Sequence, residues 1–185
     1  AIDLPPGGWG GFHSNDGMNA TYSRHGNCMD LDPELAEKIY PLRILMREFI
    51  QDSGGAGVFR GGLGIREGFY FLQDVHVSHT TSRTKEGVPG SNGGKNGRPG
   101  RAIKNYGTEN EEVIGGLTDD GRWKICMLNC KFSEGESLII ETQGGGGWGD
   151  PLKRSTDHIL YDLENGYISK EQAENQYGFH FPENE

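Results

Sequence analysis

Three groups of residues in this sequence have the chemistry to hold or transform a ligand. His13 and Asp16 stand in GFHSNDG, a histidine and a carboxylate in one glycine-flanked loop. Such a pair can share a cation or a substrate. Arg60, between Phe59 and Gly61, and Arg83, after a β-like run, each carry a guanidinium that can grip a carboxylate or phosphate through paired N–H donors. TQGGGGWGDP, Thr142 to Pro151, sets four glycines in a row, where backbone amides can approach a phosphate or another backbone.

Each group also has a plainer use. Two ligands are too few for a metal site, so His13 and Asp16 equally fit polar loop packing. Arg60 and Arg83 equally fit surface or inter-subunit salt bridges. The glycine stretches fail as nucleotide loops. A P-loop needs GxxxxGK followed by Ser or Thr. Here Gly94-Lys95 is followed by Asn96, and position 89 is Pro. In GGAGVFRGG the third glycine of a GxGxxG falls on Arg60. TQGGGGWGDP has no lysine, and Pro151 closes it. Gly144, Gly145, Gly146, Gly147 and Gly149 are therefore expected at a structural corner, pinned by Trp148, with Asp150-Pro151 turning the chain into a helical region.

Other reactive side chains offer less. His76 and His79 lie three apart in VHVSHT, and on a continuous strand they would face opposite sides. One surface and one core histidine is the expectation. Cys126 and Cys130, four apart in one expected strand, would be roughly 13 Å apart, beyond disulfide reach. Cys28 lacks a local electropositive setting, which argues against a catalytic thiol. Reduced thiols in a cytoplasmic protein follow.

The elements that must position these residues are punctuated by glycine. The 185 residues include 31 glycines, more than twice the roughly 7% of an average chain. Residues 1–30 form a loop-rich segment. Asp32 and Pro33 open a short helix carrying Leu35 and Ile39, and Pro41 ends it. Strands are expected at LRILMREFI and across IREGFYFLQDVHVSHTTSR. The Asp120-Gly121 turn folds EEVIGGL against RWKICMLNCKF as a hairpin, and SLIIET follows. Asp52–Gly64 and Gly87–Gly100 are long loops, which in compact domains are functional or packed on a partner. Ser155 caps a helix with Ile159, Leu160 and Leu163, stopped by Asn165-Gly166. Ser169 with Gln172 makes a capping box for a last helix. The expected class is α+β: a mainly antiparallel β domain over 31–150 with long glycine-rich loops, and a tail over 151–185 with two short helices.

Charge and hydropathy limit the partners. The net charge is −9, and the basic residues form no stripe, so no nucleic acid is expected. No apolar run approaches the roughly 20 residues of a membrane span. The chain opens with Ala1-Ile2-Asp3, as a processed chain or a piece of a longer one would.

Taken together, the loops resemble a known family. SGGAGVFRGGLGIREGFYFL (Ser53 to Leu72) is similar to the GGAGxxRGGLG segment of the hydantoinase B/oxoprolinase family. SRTKEGVPGSNGGKNGRPG (Ser82 to Gly100) resembles its PGxxGGxxG loop. TQGGGGWGDPLKRSTDHILYDLENGYISKEQAENQYG (Thr142 to Gly178) is similar to its closing segment, with Gln143 for the family's proline and Trp148 for its tyrosine. MDLDPELAEKIYPLRI also fits, so the resemblance runs nearly end to end, over the C-terminal third of the family's B-type polypeptides.

The resemblance implies a subunit or segment of an ATP-dependent assembly. Its partners would be the remaining hydantoinase-B-type polypeptide and a hydantoinase-A-type subunit that phosphorylates a carbonyl or amide oxygen. ATP and a divalent metal would belong to those partners, with no cofactor bound by this chain. The reaction would be hydrolysis of a cyclic amide (hydantoin, oxoproline, lactam) or carboxylation of a ketone such as acetone or acetophenone. His13, Asp16, Arg60 and Arg83 would handle the substrate or intermediate. The rival is a scaffolding subunit that never touches substrate. A third reading is an independent small-molecule-binding β domain.

Overall fold

The computed structural model describes residues 5–22, 31–80, 83–124 and 129–181. Strands β1 (Leu42–Phe49), β2 (Ile65–Phe71), β4 (Arg101–Lys104), β5 (Glu112–Leu117), β6 (Trp123–Lys124) and β8 (Ser137–Glu141) form one sheet. Its order is β1-β2-β8-β4-β5-β6, with antiparallel pairing at every junction. β3 (Val75–Val77) and β7 (Cys130–Phe132) make a second, antiparallel pair. Helices α1 (Pro33–Ile39), α2 (Thr156–Glu164) and α3 (Lys170–Tyr177) complete the α+β architecture expected from the sequence.

Alternation along the strands decides which face is covered. On one face of the large sheet Phe71, Leu138, Ile140 and Ala102 join Phe132 of β7 in a buried core, and Leu42, Phe69, Val75 and Val77 pack around it. The Phe71 and Phe132 rings meet at 4.9 Å, tilted by 50°. A smaller core under the C-terminal helices joins Ala56, Ile159, Ile168, Ala173 and Tyr177.

The four-glycine run is the hub of the loops. A Cβ on Gly144 would collide with the Ser53 carbonyl, and one on Gly147 with the Ala56 carbonyl of the same loop. Between them, Gly145 faces the Trp9 carbonyl and Gly146 that of Pro89. Gly144 and Gly147, three residues apart, thus face the same loop, as residues one turn apart on a polyproline II helix do. The amides find partners in the surrounding loops: Gly145 donates to Gly62 O at 2.9 Å and Gly147 to Lys95 O at 2.9 Å. This satisfies backbone groups that water cannot reach.

Two sets of contacts shape the exit from the run. Trp148 and Phe59 exchange backbone hydrogen bonds at 2.9 and 3.1 Å, with their rings 5.9 Å apart. The Asp150 carboxylate accepts from Leu152 N, and Pro151 begins a 3-10 turn, Pro151–Lys153.

Elsewhere the local expectations shift. β4 lies in RAIK, too short and too close to GRPG to stand out as a strand. RWKICMLNCKF is not one strand: Trp123–Lys124 pairs with β5 and Cys130–Phe132 with β3. The TDDG hairpin holds, with Gly121 at φ 80°. Asp32 occupies the N-cap of α1, but its side chain makes no cap hydrogen bond; Pro33 starts the helix instead. Leu35 and Ile39 share a face, and it is exposed. Ser155 and Ser169 cap α2 and α3. Gln172, however, donates its side-chain amide to Asp52 O at 3.4 Å, and the Ser169 amide goes to the Asp52 carboxylate at 2.7 Å. The capping box is thus completed from another loop. Cys28 and Cys126 lie outside the described residues, and Cys130 is a half-buried free thiol.

Candidate functional site

Two neighbouring features carry the polar chemistry of the fold: a buried ion network under the glycine hub and a cavity against the sheet. The network begins with Arg154, which follows the 3-10 turn. Its guanidinium binds both oxygens of Asp16, Nη1 to Oδ1 at 2.8 Å and Nη2 to Oδ2 at 2.7 Å. Nη2 also reaches Asp162 Oδ2 of α2 at 2.7 Å. Arg60 approaches both Asp162 oxygens through Nε at 3.3 Å, and its backbone amide donates to Asp16 Oδ1 at 2.6 Å. Two cations and two anions therefore balance, which burial of charge demands.

The electrostatics follow. Burial opposes the charged form of Asp16, but the Arg154 hydrogen bonds and charge, with help from Arg60, hold its carboxyl below the usual range. Burial of Arg154 likewise works against its charge, and Asp16 and Asp162 more than offset it, raising its pKa. Tyr177, whose ring lies 5.8 Å from the Arg154 guanidinium, has its phenol pushed well up by burial. The network ties the N-terminal loop, the first glycine loop and the C-terminal helices into one unit.

The cavity has a volume of about 790 Å³. Its floor is the apolar face of the sheet, including Leu42, Phe69, Phe71, Leu138 and Ile140. One wall is Val75–Thr80, and the other is the N-terminal loop with Pro6, Trp9 and Tyr22. Thr142 and Gln143 close the end nearest the glycine run. The Thr142 hydroxyl donates to Pro6 O at 3.0 Å and accepts from the Ile65 amide at 2.8 Å, which fixes that wall. Trp9 Nε1 donates to Thr21 O at 2.8 Å. An apolar floor with a few convergent polar groups suits a small molecule with an apolar ring and one polar edge.

The sequence-predicted residues are placed as follows. Asp16 and Arg60 meet in the buried network, and Arg60 is 3% exposed. His13 is exposed, with its ring 6.2 Å from that of Phe12. Arg83 is exposed, at φ 57°, and its carbonyl accepts from Gly100 N. None of the four lines the cavity. His76 and His79 both do, because the strand stops at Val77 and the alternation does not run on to His79. Gln143 lines the cavity as well. Asp162 and Arg154 carried no sequence signal, since each looks like an ordinary charged residue of a helical tail.

Among the described residues no group of three or more His, Cys, Asp or Glu could hold a metal ion. Among the described residues no helix is long and apolar enough to cross a membrane.

Comparison with known proteins agrees with this architecture. The family model described as hydantoinase B/oxoprolinase matches residues 2–151. The chain is 35% identical over 161 residues to the beta component of the caprolactamase of Pseudomonas jessenii, covering 83% of this chain and 26% of that protein. It is 28% identical over 177 residues to the B component of the putative D-/L-hydantoinase of Pseudomonas sp. strain NS671, covering 96% and 28%. The solved ATP-dependent caprolactamase from Pseudomonas jessenii superposes with a TM-score of 0.75 at 27% identity, over 95% of this chain and 30% of that one. Nucleotide-free acetone carboxylase shares the fold, with a TM-score of 0.60 at 21% identity over 89% and 25%. The chain thus spans about a quarter of the length of the curated relatives it matches.

Proposed function

Because the chain belongs to the hydantoinase B/oxoprolinase family, we propose that it serves as the hydantoinase-B-type segment of an ATP-dependent cyclic-amide hydrolase. A hydantoinase-A-type partner phosphorylates the amide oxygen of a lactam or hydantoin, using ATP and a divalent metal of its own. The present chain shelters the activated ring: water adds to its carbon, the ring C–N bond breaks to free the amine, and a second water releases the phosphoryl group as inorganic phosphate. The observation that carries this reading is the cavity. Its apolar floor suits ring methylenes, and its polar wall, with His76, His79 and Gln143, suits an amide edge. The likeness to caprolactamase, closer in both TM-score and identity than that to acetone carboxylase, favours amide over ketone chemistry.

Within this reading His13 and Arg83, both exposed, meet the intermediate or the partner that delivers it. Asp16, held by the Arg60 amide and the Arg154 guanidinium, anchors the loop that carries His13. Excluding water from an activated phosphorylated group except where a nucleophile is wanted is the general demand such chemistry makes.

The test is a reconstituted assembly screened for ATP consumption with lactams, hydantoins and ketones, with and without bicarbonate. Lactam- or hydantoin-dependent ADP release, indifferent to bicarbonate, is expected. Turnover that needs a ketone and bicarbonate would overturn the hydrolase reading. Hydrolysis by this chain alone would overturn the need for partners.

A further inference from the structure

Glu141 ends β8 with a fully buried carboxylate, and three arginines converge on it. Arg66 reaches Oε1 through Nε at 2.7 Å and Nη2 at 2.6 Å. Arg98 Nη2 and Arg101 Nε reach Oε2 at 2.7 and 2.6 Å. The cross-strand register produces this: Glu141 lies opposite both Arg66 of β2 and Arg101 of β4. Arg98 is supplied by the GRPG segment just before β4, and its backbone is fixed by bonds to Ser53 O and from Gly144 N.

One carboxylate cannot neutralise three guanidinium groups. The other acid bonded to the cluster among the described residues is Glu48, 2.9 Å from Arg66 Nη1, and its side chain is 53% exposed. The arginine side chains remain partly open, at 20%, 32% and 28% exposure for Arg66, Arg98 and Arg101. A guanidinium has five N–H donors. Among the described residues Arg98 spends only Nη2 and Arg101 only Nε on side-chain partners. Burial pulls the Arg98 pKa below its usual range, and the like charges of Arg101 and Arg66 pull the same way against Glu141. Positive charge is thus concentrated at one spot on a chain of net charge −9.

The spot is distinct from the cavity. Ile140 and Thr142 line the cavity, and Glu141 between them points to the opposite face of the sheet. We propose that Arg66, Arg98 and Arg101 form a binding site for a tetrahedral oxyanion, a phosphate or a phosphoryl group, with Glu141 as the fixed counter-charge that holds the three forks in place. A dianion above the cluster would complete the neutralisation that Glu141 begins. Arginine forks match phosphate oxygens in pairs. The proposal goes beyond the hydrolase reading and does not rest on it, since binding is measured without turnover.

The test is calorimetric titration of the purified protein with inorganic phosphate and, separately, methyl phosphate, at constant ionic strength, with chloride as the control. Saturable binding to one site is expected. Arg98→Gln and Arg101→Gln should each weaken it at least tenfold, with the melting transition retained. Arg98→Lys should weaken it less. Glu48→Gln, an exposed change that removes a competing negative charge, should tighten it several-fold. Equal binding of both probes assigns the site to a phosphoryl group; binding of inorganic phosphate alone assigns it to the free anion. The absence of saturable binding, or binding that ignores Arg98→Lys and Glu48→Gln alike, overturns the proposal, even if Arg98→Gln fails to fold.

Discussion

Arg154 Nη2 lies 2.7 Å from Asp162 Oδ2 with both side chains sealed from water, at 0% and 1% exposure. This pair joins the chain after the glycine run to the middle of α2, and through Asp16 and Arg60 it reaches the N-terminal loop and the first glycine loop. Removing Arg154 leaves two buried carboxylates, Asp16 and Asp162, with the single guanidinium of Arg60, an uncompensated buried charge. Arg154→Met should therefore destabilise the fold by about 3–5 kcal/mol, read as a drop in urea midpoint. Arg154→Met combined with Asp162→Leu leaves one aspartate with one arginine, so it should cost less than the two single changes added together. Strict additivity would show that the four groups do not act as a network.

The same logic gives a pH dependence. Burial raises the cost of charge on both Asp16 and Glu141, yet the arginines around them hold both carboxyls below the usual range. As acid is added, the unfolded chain takes up these protons first. The stabilisation is therefore complete above the ordinary carboxylate pKa of about 4, and it is lost as pH falls through the lower values of the folded state. Urea midpoints measured from pH 7 downward should be flat to about pH 4 from this source and fall below it. Glu141→Gln should make that acid limb shallower. An unchanged limb in the variant would remove Glu141 from the account.

The glycine hub predicts a sharp contrast between neighbouring glycines. Gly145→Ala drives a methyl into the Trp9 carbonyl, backbone against backbone, with no flexible side chain to yield. A loss on the order of 4 kcal/mol or more is expected, the range of the most damaging substitutions. Gly10→Ala places its methyl 3.7 Å from the Gly146 carbonyl, an ordinary contact, and should be tolerated. Gly121 has open space but φ 80°, so Gly121→Ala should cost about 1–2 kcal/mol from backbone conformation alone. Thermal melting of the three variants checks the order, and a well-folded G145A would refute the close-packed hub.

Much of the fold was legible because its signals are local. Asp120-Gly121, Ser155, Ser169 and Asp150-Pro151 act within a few residues, and each marks a turn or a helix start where expected. The misses are long-range. Arg101–Lys104 becomes a strand because β8 and β5 lie on either side of it, which no four-residue window displays. Asp52 completes the cap of α3 from 117 residues away. Arg60 stood out in the sequence through its tight glycine setting, but its partner Asp162 is 102 residues distant and sits on an amphipathic helix as any surface acid would. The cavity was hidden for the same reason, since its floor comes from β1, β2 and β8 and its walls from β3 with the segment after it and from the N-terminal loop.

Substrate handling and scaffolding make different demands on His13 and Arg83. Both side chains are exposed, and neither belongs to the buried ion network. His13→Ala and Arg83→Ala should therefore leave the melting temperature of the chain within about 2 °C of the parent, as surface changes do. If these residues meet the activated intermediate, each change lowers turnover of the assembled complex, with elution of the assembly unchanged. A tenfold loss corresponds to about 1.4 kcal/mol of transition-state stabilisation. If the chain is only a scaffold, the same variants either weaken assembly or change nothing. Arg60→Ala cannot serve in this comparison, because its guanidinium is engaged by Asp162 and its loss acts first on the fold. Paired measurements of turnover and of assembly on H13A and R83A separate the two roles, and full turnover in both variants would withdraw them as substrate-handling residues.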